Sequence, residues 1–459
     1  MISRIPPRMS RAARSRRGAN ARAVVVNGRL TMTSEVFVYL TLPGQTSCVT
    51  AGRFALDSDR QGNSVGRFIY GRRYLERSDA VPIDPIELKL EERTYETGRL
   101  HGMFGALRDA SPDYWGRRVI EKHAGKVNLT ELDYLLNSPD DRAGALGFGL
   151  NVEPPAPLRT FNRTMHLSRL QELADLIVAE DELPEKTAAT DRADLTQIQD
   201  LLLIGTAMGG ARPKAVVEDR EALWIAKFNR RDDKWNQARV EHAMLTLARE
   251  CGLSVSQSRL TQIADRDALL VKRFDREHSD KGYRRARMLS ALTLLRAEDS
   301  HLDRDRWSYP AFAEELRRVC AQPRFDAPEL FRRMSFNALI SNLDDHPRNH
   351  AVIAVNQDWK LSPAYDLTPS IVVSLERRDL TMICGDRGRC AQAENLLSQC
   401  ERFLLSRAEA TRIVADMEAT VRQRWYEVTR REGVSEADCQ RISSAFVYQG
   451  FRLSLQPDV

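Results

Sequence analysis

The 459 residues are too many for one compact core, so two or three lobes are expected. Apolar residues make up 42 % and charged residues 29 %, and no run approaches the ~18 consecutive apolar residues of a membrane helix. The net charge of +5 belongs to one segment: residues 1–34 hold eight arginines and no carboxylate, and removing those eight leaves −3 for residues 35–459. A basic pI therefore carries no nucleic-acid argument for the folded body.

The first 34 residues lack an apolar h-region and are not a secretory signal. They admit three readings. One is a disordered arm, or an over-extended start with Met32 as the initiator. The second is an arm that contacts nucleic acid, and the third is a targeting segment. Seven cysteines are scattered singly from Cys48 to Cys439, and Cys384 and Cys390 lack C-x-x-C spacing. Such a set points to reduced thiols and a cytoplasmic home.

In chain order, the apolar run Val36–Leu40 predicts a strand. Glycines at 44, 52, 62, 66 and 71 then punctuate a small antiparallel sheet up to about residue 85. Phe104 to His123 reads as helical, with Ser111 as N-cap and Pro112 at the first helical position. Glu153-Pro-Pro-Ala-Pro157 is a stiff connector. Residues 165–205 look helical, and a Gly-rich turn occupies 205–213. Strands follow near 214–218 and 223–228, a helix over 237–250, and strands near 257–263 and 268–274. After about 285 helical patterns dominate. The exceptions are a hairpin over 351–361 turning at Asn356-Gln-Asp358, and a strand near Leu380–Ile383. The division predicted is an arm (1–34), an N-terminal subdomain (35–155), a nucleotide-binding α/β part (156–285) and a helical C-terminal lobe (286–459). The class is α+β, with a sheet-rich N-terminal half and a helical C-terminal lobe.

The chemistry concentrates in Asn342-Leu-Asp-Asp-His-Pro-Arg-Asn-His350, after an apolar helix and before the strand at 351. Pro347 makes it a tight loop. Asp344 and Asn349 match the D-x-x-x-x-N of protein-kinase catalytic loops, and Asp366 follows Asn349 by seventeen residues. A base must accept the proton of an attacking hydroxyl, here Asp344. An amide oxygen and a carboxylate, here Asn349 and Asp366, suit Mg2+, which prefers hard oxygen ligands. The pattern on its own also describes a polar surface loop. His346 and His350 lie four apart, but Pro347 breaks the helix a zinc pair would need.

Gly205 to Lys214 is not a Walker A loop, because Ala211 stands where lysine is required. It reads either as a flexible turn or as a phosphate cradle charged by Arg212 and Lys214. Lys227 ends an apolar strand and Glu241 sits fourteen residues on, on a helix where it can anchor that lysine. The order of parts (Gly loop, lysine strand, glutamate helix, D-x-x-x-x-N, aspartate) is that of protein kinases, so the fold expected is α+β, a two-lobed protein-kinase-like fold.

From about residue 36 to beyond 450 the chain resembles the HipA family of serine/threonine kinases, the toxin halves of bacterial toxin–antitoxin pairs. The resemblance rests on Phe104-Gly-Ala-Leu, Ser111-Pro-Asp-Tyr-Trp-Gly-Arg-Arg118, Gly209-Gly-Ala-Arg-Pro-Lys214, Lys227-Phe, Leu270-Val-Lys-Arg-Phe-Asp-Arg276, Asp344-Asp-His-Pro-Arg-Asn349 and Leu361-Ser-Pro-Ala-Tyr-Asp366. It implies an ATP pocket made by Gly209, Gly210, Ala211, Arg212, Pro213, Lys214, Lys227, a hinge-like Lys272-Arg273-Phe274, and His346, Pro347, Arg348, Asn349, Tyr365 and Asp366. Phe274 reads equally as a cover for an adenine face or as a core residue. The resemblance also implies a protein substrate, a translation-related enzyme in known members, and a helix-turn-helix antitoxin that binds operator DNA. DNA would be reached through that antitoxin or the arginine arm. Family members can carry a regulatory serine three residues before the second loop glycine. Here that position is Ala207, which leaves neighbouring Thr206 as the candidate autophosphorylation residue. Two other functions are open at this stage: a catalytically weak component bridging antitoxin and DNA, and a small-molecule phosphotransferase.

Overall fold

The computed structural model describes residues 23–26, 29–32, 34–124, 129–156, 161–163, 166–182, 212–371 and 374–451. Strands β1 (Ala23–Val26) and β2 (Arg29–Met32) form an antiparallel hairpin, so the end of the segment expected as a disordered arm has regular backbone structure. Next come β3 (Ser34–Thr41), β4 (Cys48–Ser58), β5 (Ser64–Tyr70) and β6 (Thr94–Thr97). With β7 (Leu146–Gly149) they make a five-stranded antiparallel sheet, ordered β6-β5-β4-β3-β7. Val36, Val38 and Leu40 alternate into its core, as period-two patterning requires. Gly66 lets two segments touch: a Cβ there would lie 1.8 Å from the Gly102 carbonyl oxygen.

Between β6 and β7 the chain leaves this sheet. A short helix, Gly105–Asp109, precedes α1 (Tyr114–Ala124) and α2 (Glu131–Asn137). The start of α1 differs from expectation. Asp113, not Ser111, is the cap: its Oδ1 accepts from Gly116 N at 3.0 Å, and Pro112 lies outside the helix.

A second five-stranded sheet is ordered β11-β12-β10-β9-β8. Its strands are β8 (Asn162–Arg163), β9 (Lys214–Glu218), β10 (Leu223–Phe228), β11 (Ser258–Ile263) and β12 (Arg266–Lys272). On one face lie α1 and α3 (Leu167–Glu182), through Trp115, Val119, Leu167 and Leu170 against Ala215, Val217 and Leu270. Helix α4 (Gln237–Glu250) runs between β10 and β11. Its buried Val240, Ala243, Met244 and Leu247 join the main core, shared by the first sheet and the C-terminal helices. The β13 (Arg276–Ser279) and β14 (Gly282–Arg285) hairpin follows, and then β15 (Arg287–Ser290).

The C-terminal part is helical: α5 (Tyr309–Val319), α6 (Pro323–Leu339), α7 (Arg407–Arg431) and α8 (Glu436–Ile442). Embedded in it, β15 pairs with β16 (Ala351–Ala354), and β16 with β17 (Lys360–Leu361). The hairpin turn is held by Asp358 N donating to Asn356 Oδ1 at 2.8 Å. The strand expected near 380–383 does not form. Ile383 makes a single bridge to Ser308, and Asp379 one to Cys390. The class is α+β, sheet-rich first and helical last. Among the described residues, no helix is long and apolar enough to cross a membrane.

Candidate active site

Helix α6 delivers the loop. Ser341, past its end, adopts a left-handed backbone (φ +51°), and its hydroxyl donates to the Ala445 carbonyl at 2.6 Å. The loop then closes on itself. His346 N donates to Asp344 O at 2.9 Å, Asn349 Nδ2 donates to the same carbonyl at 3.3 Å, and Asn349 N donates to His346 O at 2.9 Å. Pro347–Asn349 forms one 3-10 turn.

Two adjacent aspartates take opposite roles. Asp345 is 1 % exposed, and its Oδ2 accepts from Tyr309 OH and pairs with His350 Nε2 at 2.8 Å. It anchors the loop to α5 and β16. Asp344 is exposed at the cleft mouth. Burial of part of its surface raises its pKa, with Asp366 and Asp345 adding and His346 opposing.

The second acidic residue arrives by strand pairing. The β16–β17 hairpin turns the chain back, and Ala364 bridges Val255 beside the second sheet. Asp366 follows in a left-handed conformation (φ +60°). Asn342 Nδ2 donates to its carbonyl at 3.4 Å, which ties it to the loop. Lys227, on β10, donates from Nζ to Asp366 Oδ1 at 2.7 Å and to Glu241 Oε1, on α4, at 2.6 Å. Burial works to raise the Asp366 pKa, but the ammonium of Lys227 and then Lys214 outweigh it and hold it at about 2.

These groups line one cleft of about 660 Å³ that also includes Arg212, Lys214, His346, Asn349 and Ser370. Arg212 forms an ion pair with Asp233, its NH2 2.6 Å from Oδ1. Lys214 is 4 % exposed and lies 3.6 Å from Asp113 Oδ2. Pro213 is buried just before it. Gly209, Gly210, Ala211 and Thr206 lie outside the described residues.

The hinge-like residues lie elsewhere. The Arg273 guanidinium is buried on Asp275 (2.9 and 3.0 Å) and the Asp141 and Arg142 carbonyls, away from the cleft, and its N–H donates to Leu223 O. That side chain serves the structure, joining β12 to the segment at 141–142. Lys272 ends β12, and its N–H donates to Gln257 O. The Phe274 ring packs on Tyr365 with centroids 5.6 Å apart, beside a neighbouring cavity of about 370 Å³. The Tyr365 hydroxyl donates to the Arg348 carbonyl at 2.8 Å, and Arg348 pairs with Asp299. Tyr365 and Arg348 therefore brace the loop from behind.

The donor types are those a hard divalent cation prefers, although among the described residues no group of three or more His, Cys, Asp or Glu side chains is placed to hold one. Asp366 brings carboxylate oxygens, and Asn349 turns Nδ2 toward Asp344 O, so its Oδ1 points the other way. Sequence reasoning missed Asp113, Asn342 and the structural duty of Arg273. Asp113 carried a signal, since it sits in the Ser111–Arg118 motif, but the motif read there as a helix start.

Two family models match the chain: one described as HipA N-terminal domain over residues 48–149, the other as HipA-like C-terminal domain over residues 206–425. Y4mE of Sinorhizobium fredii, named as a candidate kinase, is 26 % identical over 158 residues, 34 % of this chain. That match spans 37 % of the relative's own length. HipA from the Shewanella oneidensis MR-1 complex with HipB and operator DNA aligns with TM-score 0.62 and 16 % identity, covering 89 % of this chain and 94 % of that one. The Helicobacter pylori proinflammatory kinase CtkA aligns at TM-score 0.34 and 12 % identity over 49 % of this chain and 93 % of its own, too low to carry an argument. With the two HipA domain models matching residues 48–149 and 206–425 in that order along the chain, the protein belongs to the HipA family.

Proposed function

We propose that this chain is an ATP- and Mg2+-dependent serine/threonine protein kinase of the HipA type. The observation that carries the reading is Lys227, bonded to both Glu241 and Asp366 in the cleft that Asp344 and Asn349 also line. The kinase name of the Sinorhizobium relative supports it. Asp344 takes the proton of the attacking hydroxyl as its oxygen bonds to the γ-phosphorus and the bond to the leaving ADP oxygen breaks. Lys227 and Lys214 offer positive charge to the phosphate chain. Asn349 and Asp366 would hold Mg2+, which when bound neutralises charge on the phosphate oxygens. The test is labelling of a proteome with γ-³²P-ATP by the wild-type chain and by Asp344→Asn. A protein band that appears with the wild type alone is expected. Label confined to small molecules would make the chain a small-molecule phosphotransferase instead.

The partner we propose is a helix-turn-helix antitoxin, with DNA reached through it. The Shewanella HipA was solved with HipB and operator DNA, and this chain shares that fold. The seven cysteines are all free thiols, which fits a reducing cytoplasm. Co-purification with the product of an adjacent reading frame, and a DNA shift that requires that product, would test it. A shift by this chain alone that is lost on deleting residues 1–22 would assign the contact to the arginine arm.

A further inference from the structure

Lys227 is committed to two carboxylates, so the other buried lysine of the cleft, Lys214, is the cation whose support matters next. That support comes from the N-terminal subdomain. Asp113 is 8 % exposed and divides its two oxygens: Oδ1 caps α1 through Gly116 N, and Oδ2, 3.6 Å from Lys214 Nζ, makes no hydrogen bond among the described residues. Two residues on, Trp115 Nε1 donates to the Lys214 carbonyl at 3.1 Å, and Trp115 and Val119 pack on Ala215 and Val217 of the same strand. One helix start therefore grips Lys214 by backbone and side chain. The subdomain is pinned again nearby. Arg108 donates to Ala297 O and Thr293 Oγ1 at 3.0 and 3.1 Å, and Asp109 accepts from Ser290 N and Oγ at 2.7 and 2.8 Å.

We propose that Asp113 is a positioning residue of the cleft: it holds the Lys214 ammonium charged and in place for the phosphate chain of a nucleotide, so the phosphate-binding floor is complete only with the N-terminal subdomain docked. The inference rests on the phosphotransferase reading above. Charge geometry supports it. Burial lowers the Lys214 pKa and Asp113 opposes that, with Lys227 on β10 pressing it down and Asp366 after β17 pulling it up. Asp366 also acts on Lys214, but Lys227 already holds that carboxylate.

The experiment is a double-mutant cycle on the full chain, with mant-ADP and Mg2+ as probe. Asp113→Asn keeps a capping oxygen and removes the charge, and Asp113→Ser does the same should the asparagine variant not fold. Lys214→Met removes the cation. Each single substitution is expected to weaken binding about tenfold, and the double variant to bind no worse than Lys214→Met alone. Affinity in Asp113→Asn should also fall more steeply with rising pH than in the wild type, as a lysine whose pKa burial lowers loses its proton sooner without that carboxylate. A purely structural role for Asp113 would not produce that pH dependence. Wild-type affinity in Asp113→Asn, or single effects that multiply in the double variant, would overturn the proposal alone. A wild-type chain that binds no mant-ADP would overturn the phosphotransferase reading and this inference with it.

Discussion

Lys227 Nζ stands 2.7 Å from Asp366 Oδ1 and 2.6 Å from Glu241 Oε1, so one ammonium joins a strand of the second sheet, the helix behind it and the segment that follows the β16–β17 hairpin. The three residues are 139 and 14 positions apart in the chain. The lysine therefore measures whether the two lobes are assembled.

Its removal should be costly. Glu241 is buried, with its side chain 8 % exposed, and Lys227→Met strands that carboxylate. A buried pair that loses one partner costs about 3–5 kcal/mol. Urea unfolding should report a lowered midpoint at an unchanged slope. An unchanged midpoint would mean that Glu241 is solvated.

Asp344→Asn and Asp366→Asn should each reduce phosphoryl transfer by about 10²–10⁴-fold, the contribution of a positioned base or an equivalent electrostatic group. Asp344 is exposed and, among the described residues, its side chain makes no hydrogen bond or ion pair that holds the loop, so its variant should melt within a few degrees of the wild type. Full-rate transfer by both variants would remove these residues from the chemistry.

The two carboxylates should separate on a pH axis. Asp344 is raised above its ordinary value by partial burial, with Asp366 and Asp345 adding. A base works only when deprotonated, so kcat/KM should fall as pH drops through that raised value. Asp366 is held at about 2, below its unfolded value. Its stabilisation is complete above the unfolded pKa of about 4 and is lost as pH falls toward 2. Activity should therefore disappear at a pH where circular dichroism still reports a folded chain. Coincident loss of both would argue against this assignment.

Asp345→Asn tests the scaffold rather than the chemistry. Its carboxylate receives Tyr309 and His350 in a buried setting, and hydrogen bonds to a charged group contribute about 1.5–3 kcal/mol. Chemical denaturation should register a loss of that order. A variant with native stability would show that the loop holds its shape without this anchor.

Local order was written in the chain. The runs at 214–218, 223–228 and 237–250 became β9, β10 and α4 because short apolar runs, helical spacing and an asparagine cap act over a few residues. The five-residue step from Asp344 to Asn349 also separated two neighbouring aspartates, since the loop can aim only one outward. Pairing across the fold was not legible. Leu380–Ile383 has strand composition, yet it meets only single bridges because no partner strand lies alongside among the described residues. Arg273 sits where a hinge would fall, but burial on Asp275 turns it inward. The start of α1 moved from Ser111 to Asp113, and only the docked sheet reveals that the same carboxylate faces Lys214. Sequence determined which residue types the cleft holds and in what order. Tertiary structure decided which of them meet, because burial and charge pairing depend on neighbours that are distant in the chain.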